Sequence, residues 1–318
     1  MLNDDIRDLL YYVSISDQKR AKARALVICE KELAKDKNES NKRVCRNVVK
    51  NIKERPQIME LPAKAQGLLI YEDVNVSFND SLYYFDEDEL ALEKRILTMA
   101  KTCQKLNSVG IKYRNATLLT GPSGCGKSVF ARRMAKTLGR NFFMVDLSYI
   151  LDSAMGGSSK NLRAIFDAIN EMGPNGFLFL DELDAFSQDR GTAGDDSPGK
   201  ELGRISVTLM QLMDCLPPEI VIMAATNHIE AIDPAVLRRF SIKHEVKVFD
   251  KEQKVKMLEK YLTAIQSNAT GEFDLNWDTE NLKTFIEAHQ ALSNGELIAK
   301  VQQAMADMLL GDDSMLLL

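Results

Sequence analysis

Short apolar runs alternate with helical stretches along the middle of the chain. The apolar runs predict five strands, at residues 116–120, 142–147, 177–180, 221–226 and 244–249. Helices are predicted at residues 90–108, 127–138, 160–169 and 205–214. Continuous apolar strands separated by helices are typical of a parallel sheet that is covered on both faces. The pattern therefore predicts an α/β fold for this part of the chain.

The two ends of the chain have a mainly helical pattern. Residues 1–55 are predicted to form short helices, because apolar residues recur at helical spacing, as at Val44, Val48 and Ile52. Residues 67–76 and 81–85 are expected to be extended, 86–89 to form an acidic turn, and 251–265, 279–289 and 293–309 to be helical, without further strands. The predicted parts are a helical N-terminal segment with its linker (1–66), an α/β part (67–249), a helical part (250–312) and an apolar tail (313–318).

The net charge of −5 conceals an opposite charge on the N-terminal segment. Residues 1–66 contain 15 Lys and Arg against 10 Asp and Glu, whereas the remainder contains 26 against 36. The segment is either a partner surface, for a protein substrate or adaptor, or a solvated face that packs on the acidic body. Nucleic-acid binding is disfavoured, because aromatic residues that would stack on bases are not interleaved with the basic ones.

The cysteine pattern and the hydropathy of the sequence bear on the compartment of the protein and on whether it has a membrane segment. The five cysteines are scattered without a C-x-x-C pair, and the three histidines lie far apart. This argues against a disulfide framework or a zinc site and favours a reducing compartment. The sequence has no apolar run of the roughly 18 residues that a transmembrane helix needs. We therefore expect a cytoplasmic protein without a membrane segment.

A glycine-rich loop, GPSGCGKS, carries the strongest chemical signal. It matches the pattern G-x-x-x-x-G-K-[ST] and lies between a predicted strand and a predicted helix, as this phosphate-binding motif requires. Lys127 would reach the β- and γ-phosphates, and the Ser128 hydroxyl would ligate Mg²⁺. The expected nucleotide-binding residues of the loop are Gly121, Pro122, Ser123, Gly124, Cys125, Gly126, Lys127 and Ser128.

Polar residues that end two other predicted strands are expected at the same edge of the sheet. Asp181 and Glu182 follow the run FLFL, and Asn227 follows VIMAAT. Ligands of open α/β sheets bind at the carboxyl ends of the strands. Asp181 is therefore predicted to act on Mg²⁺, and Glu182 to orient and deprotonate an attacking water. Asn227 is predicted to hold that water or the γ-phosphate.

Two adjacent arginines lie near the end of a short predicted helix that begins with IDP. Arg238 and Arg239 are either surface charges or act on the phosphate of another subunit. The second role would use the rigid fork of the guanidinium group, which matches phosphate oxygens.

Together these motifs resemble an AAA+ ATPase of the classical AAA clade. The likeness covers about residues 67–310 and includes GPSGCGKS, DELD, AATN and IDPAVLRRF in the family's order. It implies an αβα P-loop NTPase core with a five-stranded parallel sheet, a C-terminal helical lid, and a ring, usually a hexamer, that binds ATP and Mg²⁺ at subunit interfaces. It also implies that Asn227 is the sensor-1 residue and that Arg238 and Arg239 are arginine fingers. The lid turn LSNGEL would bring Gly295 and Glu296 near the nucleotide.

The segment ILDSAMGGSSKNLRAIF (150–166) is also rich in small residues. It lacks a lysine and hydroxyl at the spacing of a second phosphate loop. The resemblance instead implies a loop that lines a central pore, formed by Ala154, Met155 and Gly156. The family usually has a gripping aromatic residue where this chain has Ala154, which weakens the expectation that the ring threads a polypeptide.

Three departures or unmatched features leave alternatives open. The family usually has Pro-Gly between its finger arginines, so the adjacent pair does not reveal which one is the finger. Cys125 replaces a usual Thr and is either a reactive thiol or a tolerated small side chain. The apolar tail, MLLL, either packs on the lid or inserts into a neighbouring molecule.

The expected function is Mg²⁺-dependent ATP hydrolysis by a ring-shaped homo-oligomer, coupled to remodelling or unfolding of a protein partner. Glu182 would act as the base, and Lys127, Asn227 and a neighbour's arginine would stabilise the developing charge. The main alternative is a slow ATP-gated assembly switch that regulates a partner protein such as a protease. A nucleic-acid-dependent ATPase is a third hypothesis, based only on the basic segment.

Overall fold

The computed structural model describes most of the chain. The described residues are 4–14, 18–34, 39–54, 61–111, 113–151, 157–171, 173–186, 198–268, 274–310 and 315–317. The chain divides into two compact units, Met1–Glu60 and Leu61–Leu318. No helix in the described ranges combines the length and the apolar character that a membrane crossing requires.

The first unit contains three helices. They are α1 (Asp4–Ser14), α2 (Gln18–Leu33) and α3 (Glu39–Glu54), in agreement with the helical pattern of the sequence. Asp5 of α1 is buried, and it accepts hydrogen bonds from Arg24, at 3.2 Å, and from Lys31, both on α2. A buried carboxylate is costly unless it is paired, so these contacts stabilise the packing of α1 on α2. Two of the basic side chains of the segment are thus used within the unit.

A six-stranded sheet forms the centre of the second unit. Its strands are β1 (Ile70–Glu72), β2 (Ala116–Thr120), β3 (Asn141–Asp146), β4 (Gly176–Asp181), β5 (Val221–Thr226) and β6 (Ile242–Glu245). They lie in the order β1-β3-β4-β5-β2-β6, and β1 is antiparallel to β3, whereas the other neighbours are parallel. The predicted five-stranded parallel sheet is confirmed, with β1 added at one edge.

Helices cover both faces of this sheet. They are α4 (Val74–Ser77), α5 (Glu87–Ser108), α6 (Lys127–Thr137), α7 (Leu147–Leu151), α8 (Ser158–Glu171), α9 (Pro198–Cys215) and α10 (Pro234–Leu237). Successive strand residues point to opposite faces. In β4, Phe177 and Phe179 pack with the cluster that includes Phe130 of α6, whereas Leu178 and Leu180 pack with the cluster that includes α8 and α9. Both faces are apolar, as the continuous hydrophobic runs predicted.

The helices after the sheet form a lid with an apolar core of its own. The lid contains α11 (Lys251–Asn268), α12 (Thr279–Ala288) and α13 (Asn294–Leu310). Leu258, Leu262, Leu282, Leu297 and Val301 are fully buried in this core. The prediction that strands end at Asp250 is wrong, because β7 (Asp274–Asn276) pairs in parallel with β8 (Met315–Leu317). Strands of three residues are too short for an alternating pattern of apolar and polar side chains to reveal them in the sequence. Through this pairing, part of the apolar tail joins the lid.

Three local predictions also need correction. Residues 86–89 do not form an acidic turn but begin α5. Asp86 accepts a hydrogen bond from the Glu89 backbone N–H at 2.8 Å, and the Glu89 carboxyl accepts one from the Asp86 N–H at 3.1 Å. This reciprocal arrangement is a capping box. The stretch 67–76 contains the helix α4 after β1, and Asp80–Leu82 is a 3-10 helix. The last parallel strand is Ile242–Glu245 instead of 244–249, because its pairing with β2 ends at Thr120.

Candidate nucleotide-binding site

Two glycines hold the loop between β2 and α6 close to neighbouring backbone. Gly121 has a φ angle of 139°, and a Cβ atom there would lie 2.1 Å from the Val246 carbonyl oxygen. Gly124 has a φ angle of 73°, and its Cβ would lie 2.5 Å from the Ser293 hydroxyl oxygen of the lid. Neither backbone conformation nor space allows a side chain. The loop is therefore fixed between the end of β6 and the turn before α13.

Lys127 lies at the start of α6 and is surrounded by neutral oxygen atoms. Its Nζ donates to the carbonyl oxygens of Gly121, at 2.7 Å, and Pro122, at 2.8 Å, and to Asn227 Oδ1 at 2.8 Å. Only 8% of the residue is exposed. Within the described ranges it forms no ion pair with a carboxylate. A buried ammonium without a counter-ion is suited to bind an anion.

The N-terminus of α6 offers a second source of positive potential. Gly126 is its N-cap residue, with a φ angle of 111° and no side-chain hydrogen bond to the first turn. The first N–H groups of a helix have no partner within the helix, and the helix dipole favours negative charge there. Together with the Lys127 ammonium, these N–H groups are suited to bind phosphate.

The carboxyl end of β4 supplies acidic oxygens beside this loop. Ser128 Oγ donates to Asp181 Oδ2 at 3.2 Å, and the Glu182 N–H donates to Asp181 Oδ1 at 3.1 Å. Burial raises the pKa of Asp181, and the nearby Asp146 of β3 raises it further. One hydroxyl and one desolvated carboxylate fit a Mg²⁺ ion that takes its remaining ligands from phosphate and water. Among the described residues, no group of three or more His, Cys, Asp or Glu side chains is arranged to hold a metal ion by itself.

Glu182 has an unusual backbone conformation. Its φ angle is 54°, and no other non-glycine residue among those described has a positive φ. Such a conformation costs about 1–3 kcal/mol and is found preferentially at active sites. Its N–H is held by Asp181, while its exposed side chain lines the cavity described below. This geometry supports its candidacy as a base.

Asp184 connects two strand ends and was missed by sequence reasoning. Its Oδ1 accepts hydrogen bonds from Thr226 Oγ1, at 2.6 Å, and from the Asn227 N–H, at 3.3 Å. Asn227 in turn accepts the hydrogen bond from Lys127. Asp184 is thus a positioning residue for Asn227, and its place three residues after Asp181 in DELD was the available signal.

The lid turn binds directly to the glycine-rich loop. The Gly295 N–H donates to the Gly124 carbonyl at 2.8 Å. Asn294 Nδ2 donates to the Cys125 carbonyl at 3.3 Å, and Asn294 Oδ1 accepts from the Phe249 N–H at 3.0 Å. Asn294 is buried and was not predicted as a site residue. Its signal in the sequence was its position beside Gly295.

Glu296 is placed differently from Gly295. Its Oε2 accepts hydrogen bonds from the Ser293 N–H, at 2.8 Å, and the Ser293 hydroxyl, at 2.7 Å. These contacts lower the pKa of Glu296, with the backbone N–H as the largest cause. Gly295 lines the cavity, whereas the Glu296 carboxylate stabilises the turn that presents it.

A cavity of about 380 Å³ lies between the loop and the lid. This volume is in the usual range of about 300–1,000 Å³ for small-molecule sites. The predicted residues that line it are Ser123, Gly124, Cys125, Gly126, Lys127, Ser128, Asp181, Glu182, Asn227 and Gly295. Gly121 and Pro122 contribute their carbonyl groups to Lys127 instead.

An apolar and largely aromatic group of residues completes the cavity. It consists of Leu82, Tyr83, Tyr84, Phe85, Phe249, Met257, Tyr261 and Ile298. Flat, apolar side chains of this kind suit a nucleobase. Sequence reasoning missed them, although the aromatic density of SLYYF was a signal.

Cys125 is not poised as a nucleophile. The side chain is buried, and burial raises the pKa of its thiol despite the nearby Lys127. A thiol with a raised pKa remains protonated and unreactive. Of the two readings of this residue, the structure favours a tolerated small side chain.

Comparison with known proteins identifies the part of the chain that holds this site. Residues 117–248 match the family described as "ATPase family associated with various cellular activities (AAA)". Residues 117–248 form an AAA ATPase domain. The domain includes the glycine-rich loop, Asp181, Glu182 and Asn227, and the lid follows it.

Three other proteins are similar to this chain. The chain is 30% identical over 221 residues to the Cell division cycle protein 48 homolog of Archaeoglobus fulgidus, covering 68% of this chain and 28% of that protein. It is 27% identical over 256 residues to the uncharacterized AAA family ATPase y4kL of Sinorhizobium fredii, covering 78% and 75%. It is 27% identical over 226 residues to the Mitochondrial sorting homolog of Caenorhabditis elegans, covering 71% and 63%.

The two candidate finger arginines of the AAA domain have different surroundings. Arg239 Nη1 donates to the Ala235 carbonyl at 2.7 Å, and its Nη2 pairs with Asp214 Oδ2 at 3.0 Å. Arg238 is exposed, and its guanidinium has no hydrogen bond or ion pair with the part of the chain that the structure describes. Neither arginine lines the cavity.

The residues predicted to line a pore lie outside the described part of the AAA domain. This concerns Ala154, Met155 and Gly156. The helix predicted after them is present as α8 and begins at Ser158. The pore interpretation therefore stays a prediction from the sequence.

Replacing Lys127 with Ala is expected to weaken ATP binding by about tenfold or more. The substitution removes a charge-assisted hydrogen bond to phosphate, a contact of about 1.5–3 kcal/mol. Calorimetric titration of the full chain with ATP would measure the change.

Lys136→Ala is the matched control for this substitution. Lys136 lies on the same helix but binds the Phe78 carbonyl and Asp80, at 2.8 Å each, away from the cavity. Its removal should leave the affinity for ATP unchanged. Binding of ATP by Lys127→Ala at wild-type affinity would contradict the assignment of Lys127 to phosphate.

Proposed function

We propose that the AAA domain hydrolyses ATP in the presence of Mg²⁺. The observation that carries this proposal is the contact of Lys127 Nζ with both the glycine-rich loop and Asn227. These contacts hold the ammonium group, which would bind phosphate, and Lys127 lines the same cavity as Asp181 and Glu182. The aromatic residues opposite the loop support a nucleotide as the ligand.

Each residue has a role that follows from its surroundings. The loop N–H groups and Lys127 bind the β- and γ-phosphates and orient them toward Glu182. Asn227 holds Lys127 in the ground state and, with its amide N–H₂, is able to donate to a phosphate oxygen or to water. Glu182 accepts the proton of the attacking water. Ser128 and Asp181 would hold Mg²⁺, which neutralises charge on the phosphate oxygens when it is bound.

We propose further that the active form is a ring in which Arg238 is the finger. Its exposed guanidinium lies outside its own cavity and has no partner among the described residues, as an arginine that serves a neighbouring subunit requires. Arg239 is engaged with Asp214 and Ala235, so it positions the segment that carries Arg238. AAA membership supports oligomeric assembly, and the resemblance suggests a hexamer.

Hydrolysis would be coupled to remodelling of a protein partner. The basic N-terminal unit would bind this partner. The resemblance to remodelling ATPases and the adaptable side chain of Met155 support this proposal. The alternative, a slow ATP-gated switch that acts on a partner protein, is favoured by Ala154 at the position of the usual aromatic residue.

The rate of phosphate release distinguishes these functions. It would be measured for the full chain with Mg²⁺ and ATP, alone, with an unfolded protein and with DNA. Remodelling predicts stimulation by the unfolded protein. A slow rate that nothing stimulates would support the switch, and stimulation by DNA alone would support a nucleic-acid-dependent ATPase. Absence of hydrolysis under every condition would refute the proposed activity.

Replacing Met155 with Ala is expected to abolish stimulation by the unfolded protein while the basal ATPase rate is kept. An apolar, flexible side chain is able to grip varied segments, whereas a methyl group offers little contact. The comparison requires phosphate release and loss of structure in a folded test protein, both measured on the same preparations. Met155→Leu, which keeps the apolar volume, should retain the coupling. Unchanged remodelling by Met155→Ala would show that the Met155 side chain does not grip the partner protein.

A further inference from the structure

A buried glutamate lies among the aromatic residues that line the cavity. Glu89, in the first turn of α5, is only 4% exposed and lines the cavity together with Tyr83, Tyr84 and Phe85. Its Oε2 accepts the Asp86 N–H as part of the capping box. This single hydrogen bond leaves further donor or acceptor capacity on the carboxyl group. The phosphate chemistry at Lys127 and Glu182 makes no use of it.

The surroundings of Glu89 favour its neutral form. Burial raises its pKa to about 7, against the lowering effect of the hydrogen bond from the Asp86 N–H; the Asp86 charge also raises the pKa, and Arg133 of α6 lowers it. Arg133 is already paired with Glu93 at 2.8 Å and stacks 4.4 Å from the Phe85 ring. A second, small cavity beside Glu89 is lined by the charged or titratable residues Asp86, Asp88, His244, Glu245 and Lys247. The titratable residues that line the main cavity together with Glu89 are Tyr83, Tyr84, Cys125, Lys127, Asp181, Glu182 and Tyr261. Burial lowers the pKa of His244, so that ring does not supply a cation near neutral pH.

The protonation state of a carboxyl group decides which base it matches. A neutral carboxyl group has one O–H donor and one carbonyl acceptor, whereas a carboxylate only accepts. Adenine presents a ring-nitrogen acceptor beside its N6 amino donor, which complements the neutral form. Guanine presents the reverse order, an O6 acceptor beside its N1–H donor. The Asp86 N–H, which donates to Glu89 Oε2, keeps the proton of the neutral form on the other carboxyl oxygen, so this form does not match guanine in the position of adenine. The N1–H and N2 amino groups of guanine are both donors, so they complement the carboxylate.

We propose that Glu89 is a specificity-determining residue that selects adenine over guanine as a neutral carboxyl group. The base is held between the aromatic residues, and Glu89 donates to a ring nitrogen and accepts from the N6 amino group. The selection weakens when Glu89 ionises. This inference rests on the proposed function only in that the cavity binds a purine nucleotide, and it does not depend on hydrolysis.

The test compares the dissociation constants of ADP and GDP for the full chain at pH 6 and pH 8. We expect the preference for ADP to fall by at least about tenfold. The neutral fraction falls from about 0.9 to about 0.1 around a pKa of about 7, which weakens the binding of ADP, and any gain of GDP from the carboxylate lowers the ratio further. Ionisation of the diphosphate is common to both ligands and cancels in the ratio. The opposite result, the same ratio at both pH values, would overturn the proposal.

Two substitutions separate base selection from helix capping. Glu89→Gln keeps a donor and an acceptor at every pH, and Gln also serves at this position of a capping box. It should prefer ADP equally at pH 6 and pH 8. Glu87→Gln removes the same charge from the exposed side of the same turn and should keep the pH dependence of the wild type.

The outcomes also separate this inference from the proposed function. If ADP and GDP bind but Glu89→Gln shows the wild-type pH dependence, Glu89 does not read the base and only this inference fails. If neither nucleotide binds the wild-type chain at either pH, the proposed function fails and the inference fails with it.

Discussion

Replacing Glu182 with Gln is expected to slow ATP hydrolysis by about 10²–10⁴-fold, the usual contribution of a general base. The amide cannot accept the proton of the attacking water, but it has nearly the same size and can still orient that water. Nucleotide binding should persist, because Lys127 and the N–H groups of α6 are unchanged. Single-turnover phosphate release and an ATP titration of the same variant would measure the two effects separately.

Glu230→Gln is a suitable control for this experiment. Glu230 follows β5 and pairs with His228 at 3.2 Å, but it does not line the cavity. The control should hydrolyse ATP at the wild-type rate. Hydrolysis at that rate by Glu182→Gln as well would mean that another group accepts the proton, and the strained backbone at residue 182 would then need another explanation.

The placement of the glycine-rich loop beside the ends of β4 and β5 could be predicted because its information is local. Residues 121–128 form a contiguous motif, and Asp181 and Asn227 each end an apolar strand. The parallel order of the strands then brings these ends together, as in the register that places Leu180 beside Ala224. A sequence pattern that predicts a parallel sheet therefore also predicts which polar residues meet.

The aromatic half of the cavity could not be predicted in the same way. Phe85 is far along the chain from Phe249 and Tyr261, and the packing of the lid brings them together. Asn294 likewise depends on its contacts with Cys125 and Phe249. Each of these residues resembles an ordinary core or cap residue when it is considered alone.

Glu89 was not identified as a candidate site residue because the sequence pattern around it predicts the wrong local structure. The four adjacent acidic residues at 86–89 favour an exposed turn. The spacing of Asp86 and Glu89 is also that of a capping box, in which the fourth residue points back toward the helix start. Glu89 makes this contact with the Asp86 N–H, is buried and lines the cavity.

Arg238→Ala is expected to reduce the ATPase rate by about 10³-fold or more, within the range of arginine fingers in phosphoryl transfer. The substitution leaves the cavity of the same subunit intact, so ATP affinity should change little. Arg238→Lys should restore little activity, because an ammonium lacks the planar fork that matches phosphate oxygens. Steady-state phosphate release at saturating ATP is the measurement.

Arg239→Ala distinguishes the finger from its positioning neighbour. This substitution removes the ion pair with Asp214 and the hydrogen bond to Ala235. It should therefore lower the thermal stability of the AAA domain together with the rate, whereas Arg238→Ala should leave the melting temperature close to that of the wild type. The reverse pattern would assign the finger to Arg239.

Mixing inactive subunits tests whether Arg238 acts on a neighbour. Arg238→Ala subunits retain a complete cavity but supply no finger, and Lys127→Ala subunits retain Arg238 but bind ATP poorly. In a mixed ring, the cavity of the first kind of subunit meets the arginine of the second, so partial recovery of the ATPase rate is expected. A mixture of Arg238→Ala with Glu182→Gln/Arg238→Ala subunits has no finger at any interface and should stay inactive. Failure of every mixing ratio to restore hydrolysis, despite confirmed co-assembly, would exclude action in trans and restrict Arg238 to its own subunit.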